Sequence, residues 1–162
     1  MNRRYTTEEY KEIVDKLRRE IPNVTITTDV IVGFPGETQE EFEQTYDFLK
    51  DIELSQMHIF KYSPRKGTKA ADMKDQVSPQ IKHERSEKLL QLNKENFEKF
   101  ASRMIGKEFE VLFEQETEEN KYEGLTPNYL KTFVNCNEDI CGKILKVKIT
   151  EVKDEYVEGI LV

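Results

Sequence analysis

Three stretches of the chain place apolar residues on one face of a helix. Thr6 and Glu9 open the first as a capping box, and Tyr10, Ile13, Val14, Leu17 and Ile21 carry it to Pro22. Thr38 and Glu41 open the second, over 40–52, with Phe42, Tyr46, Leu49 and Ile52 as its apolar stripe. Ser78-Pro79 opens the third, which runs to about Arg103 through Leu89, Leu92, Phe97, Phe100 and Met104. Between the helices lie two runs rich in β-branched and aromatic residues, 24–32 and 55–62, which read as strands. Helix, strand, helix, strand is the order of parallel α/β units.

From Gly106 the period drops to two. Phe109, Val111 and Phe113 alternate with acidic residues, and Leu145, Val147 and Ile149 alternate with polar ones. Turn signals at Glu119-Asn120, Pro127-Asn128 and Asp154-Glu155 separate about five short strands. This pattern predicts a small antiparallel β-barrel of the oligonucleotide-binding kind. The fold class is therefore α/β followed by all-β: a partial parallel (βα) barrel over 1–103 and a small antiparallel barrel over 104–162.

Composition narrows the function. The chain has 162 residues, 35% of them charged, and a net charge of −7. Residues 104–162 carry −6 of it and residues 1–103 only −1, so the barrel cannot attract nucleic acid by bulk charge. A local stripe such as Lys143, Lys146 and Lys148 has to supply any cationic contact there. No apolar run reaches the roughly 20 residues that span a bilayer, and the start, Met1–Thr7, is polar and basic with no signal-peptide pattern. The expected setting is cytoplasmic, with no membrane partner. Cys136 and Cys141 form a lone C-x4-C, read first as two reduced thiols and otherwise as a disulfide or half a metal site.

The candidate chemistry gathers around TTDVIVGFPGET, residues 27–38. A strand, a glycine turn and a helix N-terminus commonly receive an anionic or nucleotide-like ligand, yet this turn has no Lys to clamp a phosphate. Gly33-Phe34-Pro35-Gly36 permits close backbone approach to a ligand and reads equally as a strained connector. Alternation turns Val24, Ile26, Val30 and Val32 toward the helices, and Thr25, Thr27, Asp29, Ile31 and Gly33 to the other side. On the second strand Met57 and Ile59 pack on helices while His58, Phe60 and Tyr62 share the ligand side. Asp29, His58 and Tyr62 then converge near the strand ends, where parallel barrels bind ligands. The polar loop 63–77 offers Arg65, Lys66, Lys69 and Lys74 to phosphates, or is simply a solvated charge run. In the barrel, Tyr122, Tyr129 and Phe133 are aromatic candidates for base stacking, Tyr129 the best exposed of them because it follows Pro127-Asn128.

Four blocks, MNRRYT, TTDVIVGFPGETQEEF, YSPRKGTKAADMKDQV and YEGLTPNY, together resemble the radical S-adenosylmethionine tRNA methylthiotransferases over nearly the whole chain. The likeness is greatest to those acting on threonylcarbamoyladenosine, with the isopentenyladenosine branch next. The resemblance implies an enzyme that methylthiolates a modified adenosine beside the anticodon, using S-adenosylmethionine and two 4Fe-4S clusters. It implies that 104–162 is a TRAM-like barrel that holds tRNA. It also implies that Thr27, Asp29, Ile31, Gly33, Phe60 and Tyr62 border the S-adenosylmethionine pocket, and that Arg65, Lys66, Lys69, Tyr129 and Lys146 meet RNA. The family's cluster motif, C-x3-C-x2-C, does not occur here, so no metal ligand and no catalytic residue is expected in this chain.

Two functions of different kinds follow. The chain is the C-terminal portion of a methylthiotransferase, inactive by itself, with Met1 matching an internal methionine of the family pattern. Alternatively it is a stand-alone RNA-binding or interaction module without chemistry. Two strands cannot close a barrel, so self-association through bare strand edges is also expected.

Overall fold

Thr6 and Glu9 exchange both hydrogen bonds of a capping box, at 3.2 and 2.8 Å, and start α1 (Thr7–Glu20). Thr38 and Glu41 repeat the device and start α2 (Gln39–Ile52). These details come from a computed structural model that describes residues 4–162, so the first residues of the MNRRYT block lie outside the described residues. Arg18 of α1 donates to the carbonyls of Ile52 and Glu53, at 2.6 and 2.7 Å, and so satisfies the open end of α2.

β1 (Thr27–Val32) and β2 (Gln56–Lys61) form a two-stranded parallel sheet, Thr27 opposite Gln56 through Val32 opposite Lys61. One face of this sheet packs on α1, α2 and the first part of α3 (Pro79–Ser102). Val32, Phe42, Leu49, Ile52, Leu54, Met57, Leu89 and Leu92 form that core, with Val14 as the contact from α1. The expected α1 stripe is narrower than its sequence suggests. Ile13 and Ile21 are exposed, because α1 meets the core through Tyr10 and Val14.

The first strand-like run begins later than the pattern predicts. Residues 24–26 are not strand: Asn23–Thr25 group with the second compact unit, where Lys107 donates to Asn23 Oδ1 at 2.7 Å and Asn128 Nδ2 donates to the Asn23 carbonyl at 2.8 Å. Asn23 also turns the chain with a positive φ of 60°. The first unit comprises residues up to Pro22 together with Ile26–Asn96, and the second comprises Asn23–Thr25 with Phe97–Val162.

The second unit is a closed five-stranded barrel, built from β3 (Glu108–Glu118), β4 (Lys121–Leu125), β5 (Lys131–Asn135), β6 (Ile144–Val152) and β7 (Val157–Leu161). Their order around the barrel is β3-β4-β5-β7-β6. Val111, Phe113, Val134, Val147, Ile149 and Val157 fill the inside, and Phe100, Ala101 and Met104 close one end. The barrel departs from the all-antiparallel expectation at one seam, since β5 and β7 pair in parallel. Parity forces this: a closed ring with an odd number of strands cannot alternate direction throughout.

Gly124 marks the tightest point of the barrel wall. A Cβ there would sit 2.5 Å from the Leu112 carbonyl oxygen and 2.7 Å from Val111 Cγ1. The carbonyl belongs to a paired strand and cannot move aside. Gly124→Ala is expected to destabilise the barrel by about 1–3 kcal/mol, measured as a lower unfolding midpoint in urea followed by circular dichroism.

Candidate functional site

The helices cover only one face of the β1–β2 sheet. On the other, Thr27, Asp29 and Ile31 lie beside Gln56, His58 and Phe60 in register, and all six are exposed. Ile31 is 36% and Phe60 52% accessible, which puts an apolar pair next to the Asp29–His58 pair on an open surface. Over Thr27–Val32 and Gln56–Lys61 the alternation assigned the faces as expected, whereas Gly33 is buried, and the parallel register brings Asp29 and His58 together.

Tyr62, just past β2, is half-buried. Its amide donates to the Val32 carbonyl at 2.9 Å, and its ring meets Phe34 edge-on at 5.3 Å. Its hydroxyl is buried with no hydrogen-bond partner.

Three amides of the GFPG turn and the residue after it find acceptors within the protein. Gly33 N–H donates to Glu37 Oε2 at 2.7 Å, Gly36 N–H to the Asp75 carbonyl at 2.7 Å, and Glu37 N–H to the Phe34 carbonyl at 2.9 Å. Arg85 reaches from α3 to pair with the Glu37 carboxylate and donates to the Glu37 carbonyl at 3.2 Å. Arg85 is 5% accessible, so this is a buried ion pair that also caps a backbone amide. Both glycines have positive φ, 70° at Gly33 and 85° at Gly36, which an L side chain resists. At Gly33 the space a Cβ would need is taken by the stem of Lys82, 2.3 Å away. Lys82 and Arg85 escaped sequence reading because, without contacts, they look like ordinary polar positions of a charged helix. Their i, i+3 spacing on the same side as buried Ser86 and Leu89 is the signal that was available.

The loop carrying Arg65, Lys66 and Lys69 is held in shape by its own turns. Thr68 donates backbone and hydroxyl to the Arg65 carbonyl, at 3.2 and 2.8 Å, and Gln76 Nε2 bonds the Ala70 and Met73 carbonyls at 3.0 Å. The three basic side chains stand exposed. In the barrel, Tyr129 is 79% accessible at a positive φ of 59°, pinned by its amide to the Thr126 carbonyl at 2.9 Å. Tyr122 belongs to the core instead, and Phe133 packs on Tyr156 at 4.6 Å. Lys146 and Lys148 are exposed, but the register sets them opposite Glu110 and Glu108, and Lys146 lies 3.7 Å from Glu108. The lysine stripe is therefore interleaved with glutamates rather than a field of one sign.

Residues 1–49 match the Radical SAM superfamily, and residues 102–162 match the TRAM domain. The threonylcarbamoyladenosine tRNA methylthiotransferase MtaB of Bacillus subtilis (strain 168) is 42% identical across 98% of this chain and 36% of its own length. A tRNA-2-methylthio-N(6)-dimethylallyladenosine synthase of Thermoanaerobacter sp. (strain X514) is 47% identical across 100% of this chain and 35% of its own. The corresponding synthase of Caldicellulosiruptor saccharolyticus is 42% identical across 98% of this chain and 34% of its own. Over nearly its whole length the chain is thus similar to the radical SAM tRNA methylthiotransferase family. It spans about a third of the length of these relatives.

The family implies S-adenosylmethionine and iron–sulfur clusters, and the residues present treat the two differently. Among the described residues no group of three or more His, Cys, Asp or Glu is placed to hold a metal ion. Cys136 and Cys141 are both unpaired thiols in the barrel unit, and partial desolvation together with Asp139 raises the Cys141 thiol above its ordinary value. Two thiols are fewer than the cysteine set that holds such a cluster, so the cluster does not fit these residues. The open sheet face, with a carboxylate, an exposed aromatic ring and the unpaired Tyr62 hydroxyl nearby in sequence, does fit one wall of a nucleoside site. No helix among the described residues is long and apolar enough to cross a membrane.

Two outcomes check this account. Arg85→Met leaves the Glu37 carboxylate buried without its cation and is expected to cost about 3–5 kcal/mol; adding Glu37→Met recovers part of that, as read by urea denaturation. For the thiol, a raised pKa means less thiolate at pH 8, so Cys141 is expected to react with iodoacetamide more slowly than a cysteine in a short unstructured peptide, as timed by mass spectrometry.

Proposed function

We propose that the chain is the C-terminal portion of an enzyme that methylthiolates an N6-modified adenosine next to the anticodon of tRNA. The observation that carries this reading is the near-complete match of the chain to named tRNA methylthiotransferases, with a radical SAM segment and a TRAM segment in one sequence. Thr27, Asp29, Ile31, Gly33, Phe60 and Tyr62 form one wall of the S-adenosylmethionine site. Asp29 accepts from polar hydrogens of the ligand, Ile31 and Phe60 bury its apolar faces, and Gly33 sets the bend that lets β1 end there. When bound, S-adenosylmethionine supplies a sulfonium that can be cleaved reductively. The chain alone is inactive in this reading, since it lacks residues that fit a cluster. Arg65, Lys66, Lys69, Tyr129 and Lys146 meet the RNA, the loop cations through phosphates and Tyr129 by stacking on a base.

The substrate is threonylcarbamoyladenosine, in line with the MtaB likeness. The 47% identity to dimethylallyladenosine synthases favours a second reading, in which the apolar N6 substituent is the one accepted. Self-association through the outer edge of β1 belongs to the same proposal. The edge of β2 is partly guarded, because Asn93 of α3 accepts from the Met57 amide at 2.6 Å.

A gel-shift titration with tRNA against salt, run beside iron analysis of the purified chain, tests the reading. Binding should weaken with salt, and replacing Arg65, Lys66 and Lys69 with Ala should lower the log–log slope by about 2–3. Absence of binding at low salt, or stoichiometric iron in the chain, would overturn it.

A further inference from the structure

Lys82 is an unusual residue for its surroundings. It is 9% accessible, and its ammonium donates to the Tyr62 carbonyl at 3.0 Å. Among the described residues no carboxylate forms an ion pair with it, whereas the neighbouring Arg85 has Glu37. A buried charge is normally paired, because its lost hydration is otherwise uncompensated. The local field makes the imbalance larger. Lys82 lies in the opening turn of α3, its amide donating to the Ser78 carbonyl at 3.1 Å, and that first turn has no acidic residue. A helix N-terminus favours an anion and disfavours a cation.

The position is also specific. Lys82 bridges the ends of both strands, its stem filling the place of a Cβ on Gly33 after β1, its head on Tyr62 after β2. Those are the C-terminal ends of a parallel pair, the side on which α/β folds bind ligands. The Tyr62 ring lies 5.1 Å from the ammonium, and its hydroxyl is the buried one that lacks a partner. An ammonium without a counter-ion and a hydroxyl without an acceptor thus occur together at the ligand end.

We propose that Lys82, assisted by the Tyr62 hydroxyl, receives the carboxylate of a small ligand bound at the C-terminal ends of β1 and β2. The identity of that ligand, though not the site, rests on the methylthiotransferase reading. Two sources have the chemistry: the amino-acid end of S-adenosylmethionine and the threonyl carboxylate of threonylcarbamoyladenosine. Dimethylallyladenosine has no carboxylate and serves as the neutral counterpart.

The test uses the whole chain with 13C-labelled lysine, following the Lys82 Cε signal by NMR and affinity by calorimetry. The probes are acetate against acetamide, S-adenosylmethionine, and the two modified nucleosides. Acetate should move the Lys82 signal and acetamide should not. At least one of the two larger carboxylate ligands should bind about tenfold more weakly to Lys82→Met. It should lose less in Tyr62→Phe, which keeps the ring. Any binding of dimethylallyladenosine should be unchanged in both variants. If acetate moves Lys82 but neither carboxylate nucleoside does, the site stands and the methylthiotransferase reading of its ligand falls. If no carboxylate moves Lys82 and none depends on it for binding, the proposal is overturned. Tyr62→Phe and the titration of the unsubstituted chain decide the matter even should Lys82→Met fail to fold.

Discussion

The parallel pairing of β1 with β2 in one register is the constraint on which the first unit depends. Because successive side chains alternate across a strand, that register places Val30, Val32, Met57 and Ile59 against helices and turns Asp29, Ile31, His58 and Phe60 away. A slip of one residue would exchange the two sets. It would bury a carboxylate and an imidazole under α2 and leave the core residues in water. The capping boxes at Thr6 and Thr38 serve the same end, since they fix where each helix starts and hence which of its residues meet the sheet. The Glu37–Arg85 pair then ties the strand end to α3 and leaves no turn amide of Gly33, Gly36 or Glu37 free.

Much of this was legible in the sequence because it is local. A capping box, an apolar stripe and an alternating strand each announce themselves within about a dozen residues. The three helices, both strands of the sheet and the two faces of that sheet followed from such signals. The barrel core followed too, through Val111, Phe113, Val147 and Ile149. That a closed ring of five strands has a parallel seam was available by counting, though its place between β5 and β7 was not.

What escaped depends on residues far apart in the chain. Nothing near Val24 tells that Asn23–Thr25 is held by Asn128 and Lys107. Nothing near Gly33 tells that its missing side chain makes room for Lys82, or that Glu37 is claimed by Arg85 forty-eight positions away. The turn was open to two readings, ligand cradle or strained connector. In the fold its amides are consumed internally, while the unbalanced charge sits one layer behind, on α3. The lysine stripe of the barrel misleads for a related reason: its lysines alternate with apolar residues in sequence, and only the strand register reveals the glutamates beside them.

The closing position of β7 bears on how the barrel is made. The ribosome releases β3, β4, β5 and β6 first, and until Val157–Leu161 emerges the strands β5 and β6 each have a bare side. During that interval the unfinished sheet is open to pairing with another nascent chain. Glu114, Glu116, Glu118 and Glu119, clustered along the exposed end of the β3–β4 hairpin, give neighbouring copies like charge. The acidity that works against RNA contact by this barrel thus acts in its favour while the polypeptide is still on the polysome.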